Sequence, residues 1–253
     1  MTGDPLREQW AAVAEHYGTG WSHAEGPDLA WLVDAAAPRP TDRAIDLGAG
    51  AGHATLALAP HVASVEGIDP TPEMLAVAAR LAAERGIANV AWTEARADAL
   101  PFPDATFDIA ISRFSIHHWP DPVCSLGEVA RVLRPGGRVV LVDLVAPEEA
   151  GLDTFLNAVE LLRDATHGRT LRASDWRACV NAAGLAGDIA RDWRFRHDTE
   201  DWLSRTAPPA WRADSVRRML REAPAAVRDA FEIAPDGSGF TVGAVVVAAR
   251  RPA

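Results

Sequence analysis

A glycine-rich turn between a short apolar segment and a helical segment constrains the fold of this chain more than any other feature. The turn covers residues 46–52 and reads DLGAGAG. Residues 43–46 before it favour a strand, and the Ala- and Leu-rich residues 53–59 after it favour a helix. Because glycine lacks a Cβ atom, such a turn lets backbone N–H groups approach a ligand closely. An α/β sheet with a nucleoside site at this turn is therefore expected.

The spacing of the glycines separates two ligand classes that use such turns, dinucleotides and S-adenosylmethionine (SAM). The dinucleotide fingerprint places a glycine or alanine three residues after the second glycine. His53 occupies that position, and its ring would obstruct close helix–strand packing. Gly48, Gly50 and Gly52 instead follow an acidic residue, Asp46. This pattern resembles motif I of the class I SAM-dependent methyltransferases.

Composition narrows the classes of partner and chemistry. The 253-residue chain has a formal net charge of −10 and contains no lysine. Nucleic-acid backbones and anionic membranes require a basic surface, so neither is expected as a partner. Without lysine, a P-loop, a Schiff base and a lysine general base are excluded. Two cysteines, with neither a leader-like start nor an apolar run of ~20 residues, favour a soluble cytoplasmic protein.

Alternating apolar and helical segments predict a parallel sheet with helices on both faces. Strands are predicted at 43–46, 62–69, 89–94, 107–112 and 138–143, with a late strand at 240–249. Helices are predicted at 72–85 and 128–133, and mostly helical segments at 147–183 and 200–231. The first forty residues carry an amphipathic pattern through Leu6, Trp10 and Val13, followed by a loop that holds His23. That helix either packs on the core or covers the ligand.

Two acidic residues support a nucleoside ligand. Asp69 ends the second predicted strand, where a carboxylate can accept both ribose hydroxyls. Alternatively, it caps the helix that begins near residue 72. Asp98 follows the third predicted strand, within the segment ADALPFP. A carboxylate there can accept the adenine amino group while the next backbone N–H donates to a ring nitrogen; an ordinary turn is the alternative.

Four motifs in order make the chain resemble class I SAM-dependent methyltransferases of the ubiquinone/menaquinone-biosynthesis type (methyltransferase type 11). They are IDLGAGAGHATLALAP, VEGIDPTPEML, ADALPFPDATFDIAISRFSIHHWPDP and EVARVLRPGGRVVLVDL, within about residues 41–145. The resemblance implies an α/β, Rossmann-like, doubly wound and mostly parallel seven-stranded sheet. It also implies a methyltransferase domain over 41–253. The helical patterns outside the motifs add the expectation of an N-terminal helical lid over 1–40 and of substrate-cap helices at about 147–183 and 200–231.

Carried over position by position, the resemblance implies a SAM site formed by Asp46, Gly48, Gly50, Asp69, Met74, Asp98, Ala99, Ser112 and Arg113. Gly48 and Gly50 would let the backbone approach the methionine part of SAM, and Asp46 would orient the turn and reach the amino group through water. Asp69 would bind the ribose, and Met74 would pack against the adenine.

The remaining four residues of that set lie after the third and fourth predicted strands. Asp98 and the backbone of Ala99 would bind the adenine edge. Ser112 and Arg113 would lie beside the methionine moiety. Arg113 is expected to pair with the SAM carboxylate or with a nearby acid.

Methyl transfer from a sulfonium is an in-line displacement, so the protein chiefly aligns the reactants and excludes water. A base is needed only when the acceptor must lose a proton. The candidate catalytic residues are His117 and His118, which follow the fourth predicted strand, and Tyr17 in the N-terminal segment. The alternative is that both histidines are structural. A further set either faces the acceptor or forms a solvated surface: Asp143, Arg163, Asp164, His167 and Arg169.

The chain is thus predicted to be a SAM-dependent methyltransferase of a small organic molecule, with a carbon, oxygen or nitrogen acceptor. Nine tryptophans favour an aromatic acceptor. A SAM-binding scaffold for another reaction, such as a cyclisation, is the alternative, and His53 disfavours an NAD-type oxidoreductase. No metal site is predicted, because the eight histidines lack a carboxylate at ligand spacing. A monomer or homodimer is expected.

Overall fold

The computed structural model of the protein describes residues 5–19 and 26–253, and within the first range the side chains of residues 6–14. Two predictions lie outside what is described: the side chain of Tyr17 and the loop residue His23.

A seven-stranded sheet forms the centre of the molecule. Its strands are β1 (Arg43–Leu47), β2 (Ser64–Asp69), β3 (Val90–Glu94), β4 (Phe107–Arg113), β5 (Leu133–Val145), β6 (Ala186–Asp198) and β7 (Gly239–Arg250). They lie in the order β3-β2-β1-β4-β5-β7-β6. The pairings among β1–β5 are parallel, whereas β7 runs antiparallel to β5 and β6. The predicted mostly parallel seven-stranded sheet is confirmed.

Helices cover both faces of the sheet. The described residues contain α1 (Pro5–Thr19), α2 (Pro27–Ala36), α3 (His53–Leu58), α4 (Pro72–Glu84), α5 (Pro122–Val132), α6 (Ala150–Arg163), α7 (Ala173–Ala182), α8 (Thr199–Ser204), α9 (Ala210–Arg221) and α10 (Ala225–Ala230). Adjacent residues of β1 point to opposite faces. Ala44 joins the cluster of Leu32 and Leu58, from α2 and α3, whereas Ile45 joins that of Leu126 from α5. Burying each large aliphatic side chain contributes ~1.5–3 kcal/mol, so both helical layers are held on the sheet.

Strand β6 was not predicted from the sequence. Its residues AGDIARDWRFRHD are rich in charge, and most of them are exposed, because β6 is an edge strand paired only with β7. The usual apolar run is therefore missing. A weaker signal exists in the alternation of Trp193, Phe195 and His197, which is the period-two pattern of a half-buried strand.

Helix α5 begins six residues earlier than predicted. Asp121 is its N-cap and accepts a hydrogen bond from the Cys124 N–H at 2.9 Å, and Pro122 occupies the first turn. An acidic cap followed by proline is a standard helix start. The helix ends at Val132, and Leu133 already belongs to β5, so the Pro-Gly-Gly segment lies within the strand range rather than at the helix end.

The late helices form a cap over one end of the sheet. Leu156 of α6, Trp202 of α8 and Val216 of α9 share a buried cluster with Leu144 of β5 and Phe240 of β7. These helices lie within the segments predicted to be mostly helical. Across the ranges 5–19 and 26–253, no helix is both long enough and apolar enough to cross a membrane.

Candidate active site

A cavity of about 590 Å³ lies at the carboxyl ends of the parallel strands. Its wall includes residues that directly follow four of them: Gly48 after β1, Pro70 after β2, Ala95 after β3 and Phe114 after β4. Ligands of open α/β sheets bind beyond the carboxyl ends of the strands. The cavity therefore occupies the expected position of a ligand site.

The glycine-rich turn forms one wall of this cavity. Gly48, Gly50 and Gly52 have φ angles of 67°, 53° and 84°, which favour glycine. A Cβ atom on Gly48 would lie 1.9 Å from Oγ of Ser115, and one on Gly52 would lie 2.7 Å from the Trp92 ring. At Gly50, by contrast, no atom of the described residues lies within 4 Å of that position. The outer glycines are thus required by packing, and the central one leaves open space for a ligand.

Asp46 places a buried carboxylate under the turn. Its Oδ2 accepts the Thr55 hydroxyl at 2.6 Å, whereas Oδ1 has no hydrogen-bond partner among the described residues. Burial raises the pKa of Asp46 to about 6, and the hydrogen bonds from Thr55 oppose that rise. Because Asp46 lines the cavity, a cationic group bound there would satisfy Oδ1 and favour the ionised form.

Asp69 ties the end of β2 to the turn. Its Oδ2 accepts the Gly50 N–H and its Oδ1 the Thr71 N–H, each at 2.9 Å. Burial raises the pKa of Asp69 against the effect of these bonds. The N-cap position of α4 is Thr71, so Asp69 is not the cap residue itself. Asp69 also lines the cavity, where its remaining lone pairs can accept ligand hydroxyls.

Of the three residues expected around the adenine, two line the cavity and one does not. Met74 is buried and lines the cavity, as does Asp98. Arg96 binds both oxygens of Asp98, at 3.0 and 2.9 Å, and these hydrogen bonds lower the pKa of Asp98. The Ala99 N–H donates to the Arg96 carbonyl at 3.2 Å, and Ala99 lies outside the cavity wall. A role for the Ala99 backbone therefore stays a prediction. The Ala99 N–H could donate to the adenine only after its hydrogen bond to the Arg96 carbonyl breaks.

Ser112 does not face the cavity, contrary to the prediction. It is fully buried, and its hydroxyl donates to the Leu47 carbonyl at 2.7 Å, which joins β4 to β1. Ser115, three residues further along, lines the cavity instead, and its Oγ accepts the Trp119 indole N–H at 3.2 Å. Ser112 lies within β4, whereas Ser115 lies two residues beyond its end, so strand alternation could not indicate that Ser115 lines the cavity.

Arg113 lines the cavity and pairs with a nearby acid. Its Nε donates to Oδ2 of Asp28 at 2.5 Å, and both side chains are buried. The guanidinium also lies 5.0 Å from the centre of the Phe114 ring. Because Asp28 belongs to the first turn of α2, the pair connects this helix to the end of β4.

His117 is held by Asp143 at the inner end of the cavity. His117 Nδ1 lies 2.6 Å from Oδ1 of Asp143, whose Oδ2 accepts the backbone N–H groups of Ile116 and His117. Burial lowers the pKa of His117, but the carboxylates of Asp143, Glu160 and Asp164 together more than offset this effect, so the net pKa is raised. This contact indicates the tautomer in which Nδ1 carries the proton and donates to Asp143. Nε2 is then the nitrogen that can accept a proton.

His118 occupies a different electrostatic environment. Burial and the neighbouring charge of His117 lower the pKa of His118 to about 4. Its Nδ1 lies 3.2 Å from the Thr166 carbonyl oxygen, and its ring packs edge-on against Trp10 with centroids 5.2 Å apart. Although both histidines line the cavity, His118 is neutral at physiological pH.

The five residues predicted either to face the acceptor or to form a solvated surface do not all lie at the cavity. Arg163 and Asp164 line the cavity, and Asp143 holds His117. His167 is buried against Asn157, with its Nε2 3.1 Å from Oδ1. Arg169 forms a half-exposed pair with Asp153. The last two residues therefore support the cap rather than the cavity.

Several cavity residues escaped sequence analysis because they come from the cap and from β6. One part of the cavity is called the inner chamber. It is lined by Phe114, His117, His118, Leu144, Glu160, Arg163, Phe195, His197, Trp202 and Arg205. Of the tryptophans in the late helices, Trp202 lines the chamber, Trp176 is buried in the core and Trp211 is exposed. The alternation in β6 was the one sequence signal for Phe195 and His197.

Helix α1 lies across the mouth of the cavity. Leu6 and Trp10 line it. The Gln9 side-chain amide donates to Oδ1 of Asp164 at 2.6 Å, and the Trp10 indole N–H donates to the Thr166 hydroxyl at 3.3 Å. Ala14 packs in one cluster with Met74 of α4. The helix thus contacts both the turn side and the inner chamber, so core packing and coverage of the cavity are not exclusive alternatives.

Comparisons with known proteins agree with this geometry. A family model described as a methyltransferase domain matches residues 45–141. The uncharacterized methyltransferase YcgJ of Bacillus subtilis is 39% identical over 226 residues, which cover 89% of each chain. Its crystal structure has a TM-score of 0.86 at 36% identity and covers 89% of this chain and 98% of that one. A demethylmenaquinone methyltransferase of Thermus thermophilus is 42% identical over 127 residues, which cover 48% of this chain and 57% of that one.

Proposed function

The chain belongs to the class I SAM-dependent methyltransferases, and we propose that it methylates a small organic molecule bound in the inner chamber. One observation carries this proposal: a single cavity runs from the glycine-rich turn to His117. A donor at the turn and an acceptor in the chamber would share one cavity, so that in-line transfer could align them. Trp202, Phe195 and Leu144 give the chamber an apolar wall suited to an aromatic or aliphatic acceptor.

The residues at the turn fit SAM. Oδ1 of Asp46 is a buried acceptor suited to the ammonium of the methionine part, and the open side of Gly50 admits close backbone approach. Asp69 has lone pairs left for ribose hydroxyls, and Met74 and Asp98 line the cavity, where they would contact the adenine. When bound, SAM supplies a methyl group on a positively charged sulfur.

We assign His117 as the base for acceptors that must lose a proton, with Asp143 as its positioning residue. The short contact to Asp143 keeps the imidazole oriented and stabilises the proton it would gain. His118 lies beside it but is kept neutral by burial. His117→Asn should therefore reduce kcat more than His118→Asn, and Asp143→Asn should shift the acidic limb of the pH–rate profile downward.

Ligand titrations test the cofactor assignment. SAM and S-adenosylhomocysteine (SAH) should bind and raise the melting temperature, with ~2.7 kcal/mol of stabilisation at about a hundredfold excess over Kd. NAD should do neither. Tighter binding of NAD than of both SAM forms would contradict the cofactor assignment.

A product assay tests the reaction. Methyl-labelled SAM is incubated with a panel of phenols, enols and amines, and labelled products are identified by mass spectrometry. We expect a methylated acceptor, with the yield strongly reduced in His117→Asn for hydroxyl acceptors. Conversion of an acceptor without label would instead support a SAM-dependent reaction such as a cyclisation.

A further inference from the structure

The inner chamber contains a cluster of cationic and neutral nitrogen groups that methyl transfer itself does not require. Arg163 of α6 and Arg205, the C-cap residue of α8, both line it, and their side chains are only 10% and 12% exposed. His197 of β6 lies between the same elements. Two guanidinium groups in an enclosed, aromatic-walled space indicate a ligand group of opposite charge.

The hydrogen bonds of the two arginines leave donors free for such a group. Arg163 donates from Nε to the Trp202 carbonyl at 3.1 Å and from Nη1 to Glu160 at 3.3 Å. Arg205 donates from Nη2 to Asp201 at 2.6 Å. Within the described residues, two of five N–H donors are used in Arg163 and one of five in Arg205. Both can therefore bind a planar, two-oxygen acceptor.

His197 shows how strongly this corner of the chamber disfavours additional positive charge. Burial, together with the charges of Arg205 and Arg163, lowers the pKa of His197 to about 3. The ring packs against Phe195, Trp202 and Phe240, with centroids 4.8, 5.9 and 5.4 Å apart. His197 is thus a neutral hydrogen-bonding group that shares the chamber wall with two cations.

We propose that Arg163, Arg205 and His197 form a subsite for a carboxylate of the methyl acceptor, which makes the preferred acceptors aromatic or apolar acids. This inference rests on the proposed function. Guanidinium groups bind carboxylates through paired hydrogen bonds. Trp202, which stacks under Arg163 at 4.7 Å, and Phe195 provide the surface for the rest of the molecule.

Glu160 favours a carboxylate over a phosphate. Its carboxyl group is buried beside Arg163 and already offsets part of the positive charge. The other acid at the subsite, Asp201, is 63% exposed, so solvent screens it. A carboxylate brings one negative charge to the two guanidinium groups, whereas a phosphate dianion brings two and would be repelled more strongly by Glu160.

The test measures binding of acids and of their neutral counterparts. Benzoate, 1-naphthoate and indole-3-acetate are each compared with the corresponding amide by calorimetric titration of SAH-saturated protein. We expect at least one acid to bind about tenfold or more tightly than its amide, as for hydrogen bonds to charged groups. Arg205→Gln and Arg163→Gln should abolish that preference. The control Arg218→Gln, at a 72% exposed arginine on α9 paired with Glu222, should keep it.

The outcomes separate the subsite from the proposed function. If no acid binds more tightly than its amide while SAH still binds, the carboxylate subsite is wrong and the methyltransferase assignment stands. An undiminished preference in a folded Arg205→Gln protein would equally overturn it, and this variant loses only a bond to an exposed partner. Tighter binding of 1-naphthyl phosphate than of 1-naphthoate would contradict the choice of carboxylate. Failure of SAH to bind would count against the proposed function instead.

Discussion

Replacing Asp46 with Asn should make the stability of the ligand-free protein less dependent on pH. Burial raises the pKa of Asp46 from 3.8 to about 6. A raised carboxyl pKa means that the protonated form favours the fold, so stability is lost as pH rises through that value. The full cost of ionisation is about 3 kcal/mol, and about 1.4 kcal/mol of it falls between about pH 5 and pH 8. Asn cannot ionise, so this part of the pH dependence should disappear.

Urea unfolding of both proteins at the two pH values gives the required quantity. The difference in unfolding free energy between variant and wild type should shift in favour of the variant by about 1.4 kcal/mol from about pH 5 to pH 8. Taking this difference cancels the other titrating groups, and the buried amide N–H introduced by Asn adds a pH-independent cost. SAH affinity should fall at the same time, because the ammonium of SAH would meet a neutral amide in place of a buried carboxylate. A pH-independent difference would refute the raised pKa, and unchanged SAH affinity would refute the contact.

Three further predictions concern the cavity wall. Asp69→Ala should weaken SAM binding, measured by calorimetry, about tenfold to a hundredfold, as for loss of hydrogen bonds to a charged group. Unchanged affinity with a lowered melting temperature would instead make Asp69 purely structural. Deleting residues 1–26 should abolish methyl transfer but weaken SAM binding less, with circular dichroism to verify folding; full activity would make α1 a packed appendage. Gly48→Ala should destabilise the fold more than Gly50→Ala, because its Cβ meets Ser115 at 1.9 Å, whereas Gly50→Ala should chiefly impair SAM binding; equal melting temperatures would contradict this.

The fold and the turn side of the cavity could largely be predicted from the sequence, because their signals are local. Apolar periodicity indicated five parallel strands and the late strand, and the glycine spacing located the turn. Asp69 and Asp98 follow strands that run parallel, and the carboxyl ends of such strands meet at one edge. Both residues accordingly line one cavity.

The inner chamber depended on packing between distant parts of the chain. Asp143 and His117 are 26 residues apart and meet because β4 and β5 pair in parallel. Glu160 lies in a cap helix that precedes β6 in the chain, and Arg205 caps a helix that follows β6. Strand β6 is an exposed edge strand and gave no strong apolar signal. Tertiary packing also decides that Ser115, beyond the end of β4, lines the cavity while Ser112 within β4 is buried.

The sequence by itself thus determined the order of the five parallel strands and the glycine turn, because periodicity and backbone φ preferences act over a few residues. Only the tertiary structure decided which histidine is hydrogen-bonded to a carboxylate, which serine lines the cavity and which arginines line the inner chamber. These properties depend on burial and on charges from separate elements, and only the folded chain brings those elements within hydrogen-bond distance.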